Sequence, residues 1–417
     1  MPARFAPARL LLEWLTLGAL VGLLAGLASA LFLWLLDLAT RYREGHEALV
    51  FALPLAGLVL GGLSERFGAP IRGGSNLVLE RAHSGGPTLP LRMAPMVLSG
   101  TVLTHLFGGS AGREGTAVQM GSALADALAA RLRATERQRR WLLAAGIAGG
   151  FGSVFGTPIA GMIFGLEVIV LGRLEHHAMI PALTAALVGD QVTRALLDRL
   201  GHGHTVYPTI APVPLTLELA LTWLLFAAAL ALASTAFVEL TRALRNGLEK
   251  RVTRLPFRMA LGGAAVVLVW QLLGTSDLLG LGVPTIVRAF DDPTLPAWYF
   301  AGKLLLTALT IGAGFLGGEV TPLFFVGATL GSLLARWTGV PLELGAGVGL
   351  AGVFAAASNA PLALSIMALE LCGAGVWPHA LIVAALAYVM TGHRGIYPSQ
   401  RVLRTKWGEE VPPRHLG

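Results

Sequence analysis

Four carboxylates stand in stretches that are otherwise apolar: Glu114, Glu167, Glu319 and Glu370. Glu114 lies in Gly108-Gly109-Ser110-Ala111-Gly112-Arg113-Glu114-Gly115-Thr116, between an apolar run (Met96–Phe107) and a helix-prone segment (Ala117–Leu132). Glycine costs roughly 1 kcal/mol per residue in a helix interior, so the chain is expected to break over Gly108–Gly112 and restart as a helix near Thr116. Arg113 and Glu114 then sit at a helix mouth, whose unpaired N–H groups and partial positive charge attract anions. An ionised acid at bilayer depth costs at least about 2.5–3.5 kcal/mol. A helix terminus returns typically about 0.3–1 and at most about 2 kcal/mol. The helix mouth alone does not offset the cost, so Glu114 reads as a group that competes with a passing anion and carries a proton. The same cost applies to Glu319, an anion-site or relay candidate.

The elements that must position these groups belong to a membrane. The chain has 417 residues, of which 54% are hydrophobic and 13% charged, with mean hydropathy +0.68. Soluble domains carry about 25% charged residues. Apolar segments recur from Leu10–Leu36 to Pro378–Met390, and several are shorter than the roughly 20 residues a spanning helix needs. Short, tilted or broken helices follow, with 53 glycines for close helix packing. Ser75 or Asn76, after Gly73-Gly74, fits a helix N-cap. A third break, Gly312–Pro322, contains Glu319, Val320 and Thr321 and opens an apolar helix over Leu323–Leu334.

An internal duplication organises the chain. Gly146, Gly149, Pro158, Ala160 and Glu167 recur as Gly349, Gly352, Pro361, Ala363 and Glu370, all at an offset of 203 residues. The expected organisation is a first transmembrane repeat over 1–200, a connecting loop over 201–214, a second repeat over 215–400 and a short basic tail over 401–417. The matched placement of Glu167 and Glu370 favours structural hydrogen bonding over chemistry.

Other signals read as structural. Gly312–Gly317 and Gly347–Gly352 both spell GxGxxG without the strand or the downstream acid of a dinucleotide site. His176, His177, His202 and His204 lack further metal ligands at useful spacing, and His105 reads as a packing residue. Cys372 is the one cysteine. The net charge of +7 comes from clusters at Met1–Arg9, Arg131–Arg140 and Arg394–His415, which flank apolar segments and form no nucleic-acid stripe. The positive-inside rule places those clusters, and both termini, in the cytoplasm. No cofactor or metal is called for.

The ordered set of motifs resembles the chloride channel (CLC) family of anion channels and proton antiporters. Gly112-Arg113-Glu114-Gly115 is similar to the family's GREGP signature, with Thr116 in place of proline. Gly74-Ser75 matches the start of GSGIP, and Gly318-Glu319-Val320-Thr321-Pro322 sits where GxFxP belongs. Tyr397 occupies the place of the late tyrosine that closes the anion site. The departures resemble the fluoride-exporting branch, which exchanges fluoride for protons and carries an acid at the Glu319 position. Val168 stands where chloride antiporters of the family hold a second proton glutamate.

The resemblance implies an all-α integral membrane fold of two inverted-topology repeats, in a homodimer with one pore per subunit. It implies gating and proton transfer by Glu114 and Glu319, with Ser75 or Asn76, Val320, Thr321 and Tyr397 around the anion. The expected activity is export of fluoride against inward protons across the cell membrane. Two alternatives stay open: a chloride-selective or uncoupled member of the family, and a membrane-embedded transferase using Glu114 or His105 as base.

Overall fold

The computed structural model describes residues 6–416. They form sixteen α-helices: α1 (Ala6–Glu44), α2 (Leu53–Phe67), α3 (Ser75–Ser84), α4 (Met93–Leu106), α5 (Glu114–Arg131), α6 (Glu136–Phe155), α7 (Pro158–Glu167), α8 (Met179–Arg199), α9 (Leu217–Arg251), α10 (Leu255–Leu273), α11 (Val283–Arg288), α12 (Tyr299–Ala313), α13 (Val320–Thr338), α14 (Leu342–Ser358), α15 (Pro361–Cys372) and α16 (Trp377–Met390). Among the described residues five helical segments are long and apolar enough to cross a membrane, and six more apolar helices are only 10–17 residues long. The breaks expected from glycine and proline fall where the sequence puts them, since α6 ends at Phe155 and Pro158 opens α7.

Small residues set the packing. A methyl group on Gly121 of α5 would lie 2.4 Å from the carbonyl oxygen of Gly146 in α6, and one on Gly327 of α13 would lie 2.1 Å from that of Gly349 in α14. Both helix pairs therefore touch backbone to backbone, which places the starts of α5 and α13 in a rigid centre.

Local geometry repeats along the chain. Thr104 donates its hydroxyl to Gly100 O and accepts Gly109 N–H on its own carbonyl; Thr310 does the same with Leu306 and Phe315, 206 residues later. Gly108 and Gly314 occupy the left-handed region at φ 82° and 106° in the same turns. The duplicated acids hold one another's helices. Glu167 accepts N–H bonds from Leu362 (3.2 Å) and Ala363 (2.8 Å) at the start of α15. Glu370 accepts them from Ile159 (3.0 Å) and Ala160 (2.7 Å) at the start of α7. These carboxylates are reciprocal helix caps, and their structural reading stands.

Three expectations need correction. The helix after the first break starts at Glu114, not near Thr116, and the one after the third starts at Val320, not Leu323. Neither Ser75 nor Asn76 caps α3: Gly74, at φ 53°, holds the N-cap position and Ser75 is already helical. The second span starts earlier than Val50, with a 3-10 turn at Glu47–Ala52 that runs directly into α2. The all-α reading stands, with one small sheet at the tail. The tail forms strands β2 (Arg401–Arg404) and β3 (Glu410–His415), and β2 pairs in parallel with β1 (Val170–Leu171). Arg-Val-Leu-Arg and Glu-Val-Pro-Pro-Arg-His gave this hairpin no period-2 pattern to read in advance.

Candidate functional site

Two broken segments meet at the centre of the molecule. Gly112 and Gly318 form an isolated antiparallel bridge, with Gly112 N–H donating to Gly318 O (2.6 Å) and Gly318 N–H to Gly112 O (2.8 Å). This approach needs bare backbone: a methyl on Gly115 would sit 3.1 Å from Gly318 Cα, 3.7 Å from Ser75 Oγ and 3.9 Å from Glu319 Oε2. Gly112 and Gly115 thus serve the crossing, and the same measurement puts the Ser75 hydroxyl and the Glu319 carboxylate around one point.

Glu114 is fully buried beside that crossing. Its Oε2 accepts from the backbone N–H of Arg113 (3.1 Å) and of Thr321 (3.2 Å), and its Oε1 from the Thr321 hydroxyl. The Arg113 guanidinium lies 3.4 Å from Oε1. The side chain of the first residue in α5 is therefore bound by the first turn of α13. Backbone N–H groups at a helix start and an aimed hydroxyl are the donors a small anion would use.

Two cavities reach residues close to the carboxylate. One, of about 550 Å³, is lined by Arg113, Thr205, Asp37, Arg43 and Asp277. The other, of about 530 Å³, is lined by Ser75, Asn76, Thr116, Gln119, Glu319 and Tyr397. Glu114 borders neither; Arg113 beside it lines the first, and Thr116 and Glu319 line the second.

The remaining candidates divide. Ser75 faces the site, whereas Asn76 accepts Ser399 N–H on its Oδ1 (3.1 Å) and so ties α3 to the segment after Tyr397. Thr116 shares a hydroxyl hydrogen bond with Thr101 of α4 (2.7 Å) on the cavity wall. Val320 is buried and contributes an apolar side chain to the start of α13. Tyr397 is nearly buried on the wall of the Ser75 cavity.

Glu319 is not the positional twin of Glu114. At the offset of 206 that matches Thr104 with Thr310 and Gly112 with Gly318, Glu319 matches Arg113, and Glu114 matches Val320. His105 lies outside the site chemistry, because both ring nitrogens are engaged by backbone carbonyls, Thr101 O at 2.8 Å and Ala111 O at 2.9 Å.

Sequence reading missed Gln119, whose amide donates to Ser75 Oγ (3.3 Å). A lone amide one helical turn beyond Glu114 in an apolar helix was the available signal. It also missed Lys303, buried on α12 and donating to the carbonyls of Leu278 (3.0 Å) and Gly280 (2.6 Å).

Short helices meeting end-on at a buried carboxylate define a multi-pass membrane protein of the ion-pathway type. A model of the voltage gated chloride channel family matches residues 56–392. A Pseudomonas syringae pv. tomato protein described as a chloride/fluoride channel protein is 44% identical over 415 residues, covering 96% of this chain and 89% of its own. A crystal structure of a CLC-type fluoride/proton antiporter aligns with TM-score 0.90 at 35% identity, over 94% of this chain and 98% of its own. The X-ray structure of a slow cyanobacterial chloride/proton antiporter shares the fold at TM-score 0.79 and 20% identity, over 91% and 94% of the two chains. The chain belongs to the voltage gated chloride channel (CLC) family.

Proposed function

We propose that this protein is a fluoride/proton antiporter that exports fluoride across the cell membrane, with Glu114 as gate and proton carrier. The observation that carries the reading is the Glu114 carboxylate, buried on two backbone N–H groups and the Thr321 hydroxyl. Those donors suit a small, strongly hydrated anion, which must recover in aimed hydrogen bonds what it loses in water. Protonation neutralises Glu114, frees its donors for fluoride and loads the proton. Glu319 passes that proton on the Ser75 side, while Ser75, Thr321 and Tyr397 line the anion's way. The likeness to a chloride/fluoride channel protein and to a fluoride/proton antiporter supports fluoride as the substrate.

The same proposal includes repeats over 1–200 and 215–400 and a homodimer with one pore per subunit. Ile159 and Leu362, 38% and 43% exposed beside the two capped prolines, support an apolar face shared by α7 and α15. The basic clusters support a cytoplasmic position for both termini.

The test is efflux from liposomes of purified protein, read by a fluoride electrode and a pH dye together. The expected result is fluoride efflux that drives protons inward and outpaces chloride. Fluoride movement with no proton movement, or a preference for chloride, overturns the reading.

A further inference from the structure

Gln119 lies on α5 beyond Glu114, and its buried side chain reaches the wall of the Ser75 cavity. Its Nε2 donates to Ser75 Oγ at 3.3 Å. The amide packs against the turn that opens α3. A methyl on Gly74, at φ 53°, would fall 3.2 Å from Gln119 Oε1 and 3.4 Å from its Cδ and Nε2. A side chain there would crowd the amide, so the bare turn and Gln119 go together.

A serine hydroxyl has one proton to give and two lone pairs with which to accept. The Gln119 N–H takes a lone pair, so the Ser75 proton is not spent on the amide. Among the described residues the Ser75 hydroxyl makes no other hydrogen bond. Its proton is left for the cavity, whose wall Ser75 shares with Glu319 and Tyr397. The reverse orientation of the amide would do the opposite: Oε1 would accept the Ser75 proton, and a passing anion would meet only lone pairs. A hydroxyl that accepts a hydrogen bond is also polarised into a stronger donor. One such donor favours the smaller halide, because a compact charge draws the proton closer.

We propose that Gln119 is a positioning residue for anion choice: its amide N–H holds the Ser75 hydroxyl with the proton towards the anion and so favours fluoride over chloride. Gln119 acts through Ser75. The inference deepens the fluoride reading and rests on it for the identity of the anion. Helix α5 then supplies both the gate at its first residue and, further along, the group that sets the donor on α3.

Efflux from liposomes, read by fluoride and chloride electrodes with a pH dye, tests this as a double-substitution cycle. Gln119→Met keeps the length of the side chain and removes the amide, and Ser75→Ala removes the hydroxyl. In Gln119→Met the fluoride-over-chloride rate ratio is expected to fall about tenfold, the scale of one hydrogen bond to a charged group. Protons carried per fluoride are expected to stay at the wild-type value. In the Ser75→Ala background Gln119→Met is expected to change the ratio no further. Gln119→Asn, whose amide stops a methylene short of Ser75, is expected to lower the ratio as Gln119→Met does. It carries the test if thermal unfolding in detergent shows that the methionine variant does not fold.

An unchanged ratio in the folded Gln119 variants overturns the proposal. So does a fall that Gln119→Met still causes when Ser75 is replaced by alanine. Wild-type protein that moves chloride faster than fluoride would instead sink the fluoride reading. A ratio that Gln119→Met shifts only while Ser75 is present would then leave the positioning role standing.

Discussion

Two pairs of acids invite comparison. Glu167 and Glu370 are matched at an offset of 203, and each accepts two backbone N–H bonds from the helix that carries the other. Glu114 and Glu319 look matched in the sequence but are out of register by one residue: the partner of Glu114 is Val320, and that of Glu319 is Arg113. Where acids serve the fold, the duplication is kept. Where they face the pathway it is broken, and broken in charge, since an acid answers a valine and an arginine answers an acid. A symmetric pathway would offer an anion equal wells on both sides; an asymmetric one gives it and the proton different partners.

The comparison breaks first, and most heavily, at Glu114. Glu114→Gln keeps shape and removes the charge and the proton site, so proton-coupled fluoride flux should fall by at least about a hundredfold, the scale of a lost acid–base group. Flux measured in liposomes that stays coupled to pH in this variant would remove the gate from the account. Glu319→Gln comes next. It leaves the Glu114 donors in place, so fluoride should still move while the protons carried per fluoride fall, a split read by electrode and dye in one sample. Equal loss of both would make Glu319 a structural acid like Glu167.

Thr321→Val sharpens the same contrast with a smaller effect. The hydroxyl is a donor for Glu114, and a hydrogen bond to a charged group contributes about 1.5–3 kcal/mol. Backbone N–H donors from Arg113 and Thr321 remain, so the fluoride rate should drop about tenfold and not vanish. Unchanged rates would show that the backbone alone holds the occupant.

Local signals carried much of this. The glycine breaks, the Pro158 and Pro361 helix starts and the paired acids were legible because backbone rules act within a few residues. The register of Glu319 against Arg113 was not legible, because the duplication seen at 203 in the later helices becomes 206 in the earlier ones. The shift falls within one helix, since α14 has 17 residues where α6 has 20, and only the folded turns reveal it. The tie from Asn76 to Ser399 was not legible for another reason: its partner lies 323 residues away, and no local pattern encodes so distant a contact. The Asp126–Arg139 pair, which also fixes Leu89 N–H (2.6 Å), escaped notice because each residue alone looks like an ordinary helix charge.

The symmetric pair supplies the mildest and most discriminating outcome. Glu167→Ala strips the acceptors from Leu362 and Ala363, and Glu370→Ala strips them from Ile159 and Ala160. Each leaves two N–H groups at the start of an apolar helix without partners, a loss of about 1–3 kcal/mol apiece at most partly recovered by solvent. Glu370 is the less buried of the two, so its loss should be the smaller, and thermal unfolding in detergent should rank wild type above Glu370→Ala above Glu167→Ala. The number of protons carried per fluoride should stay at the wild-type value in both, because neither carboxylate lines the cavities that flank Glu114. If either variant instead kept its stability and lost coupling, the division between acids that hold the fold and acids that work the pathway would be drawn in the wrong place.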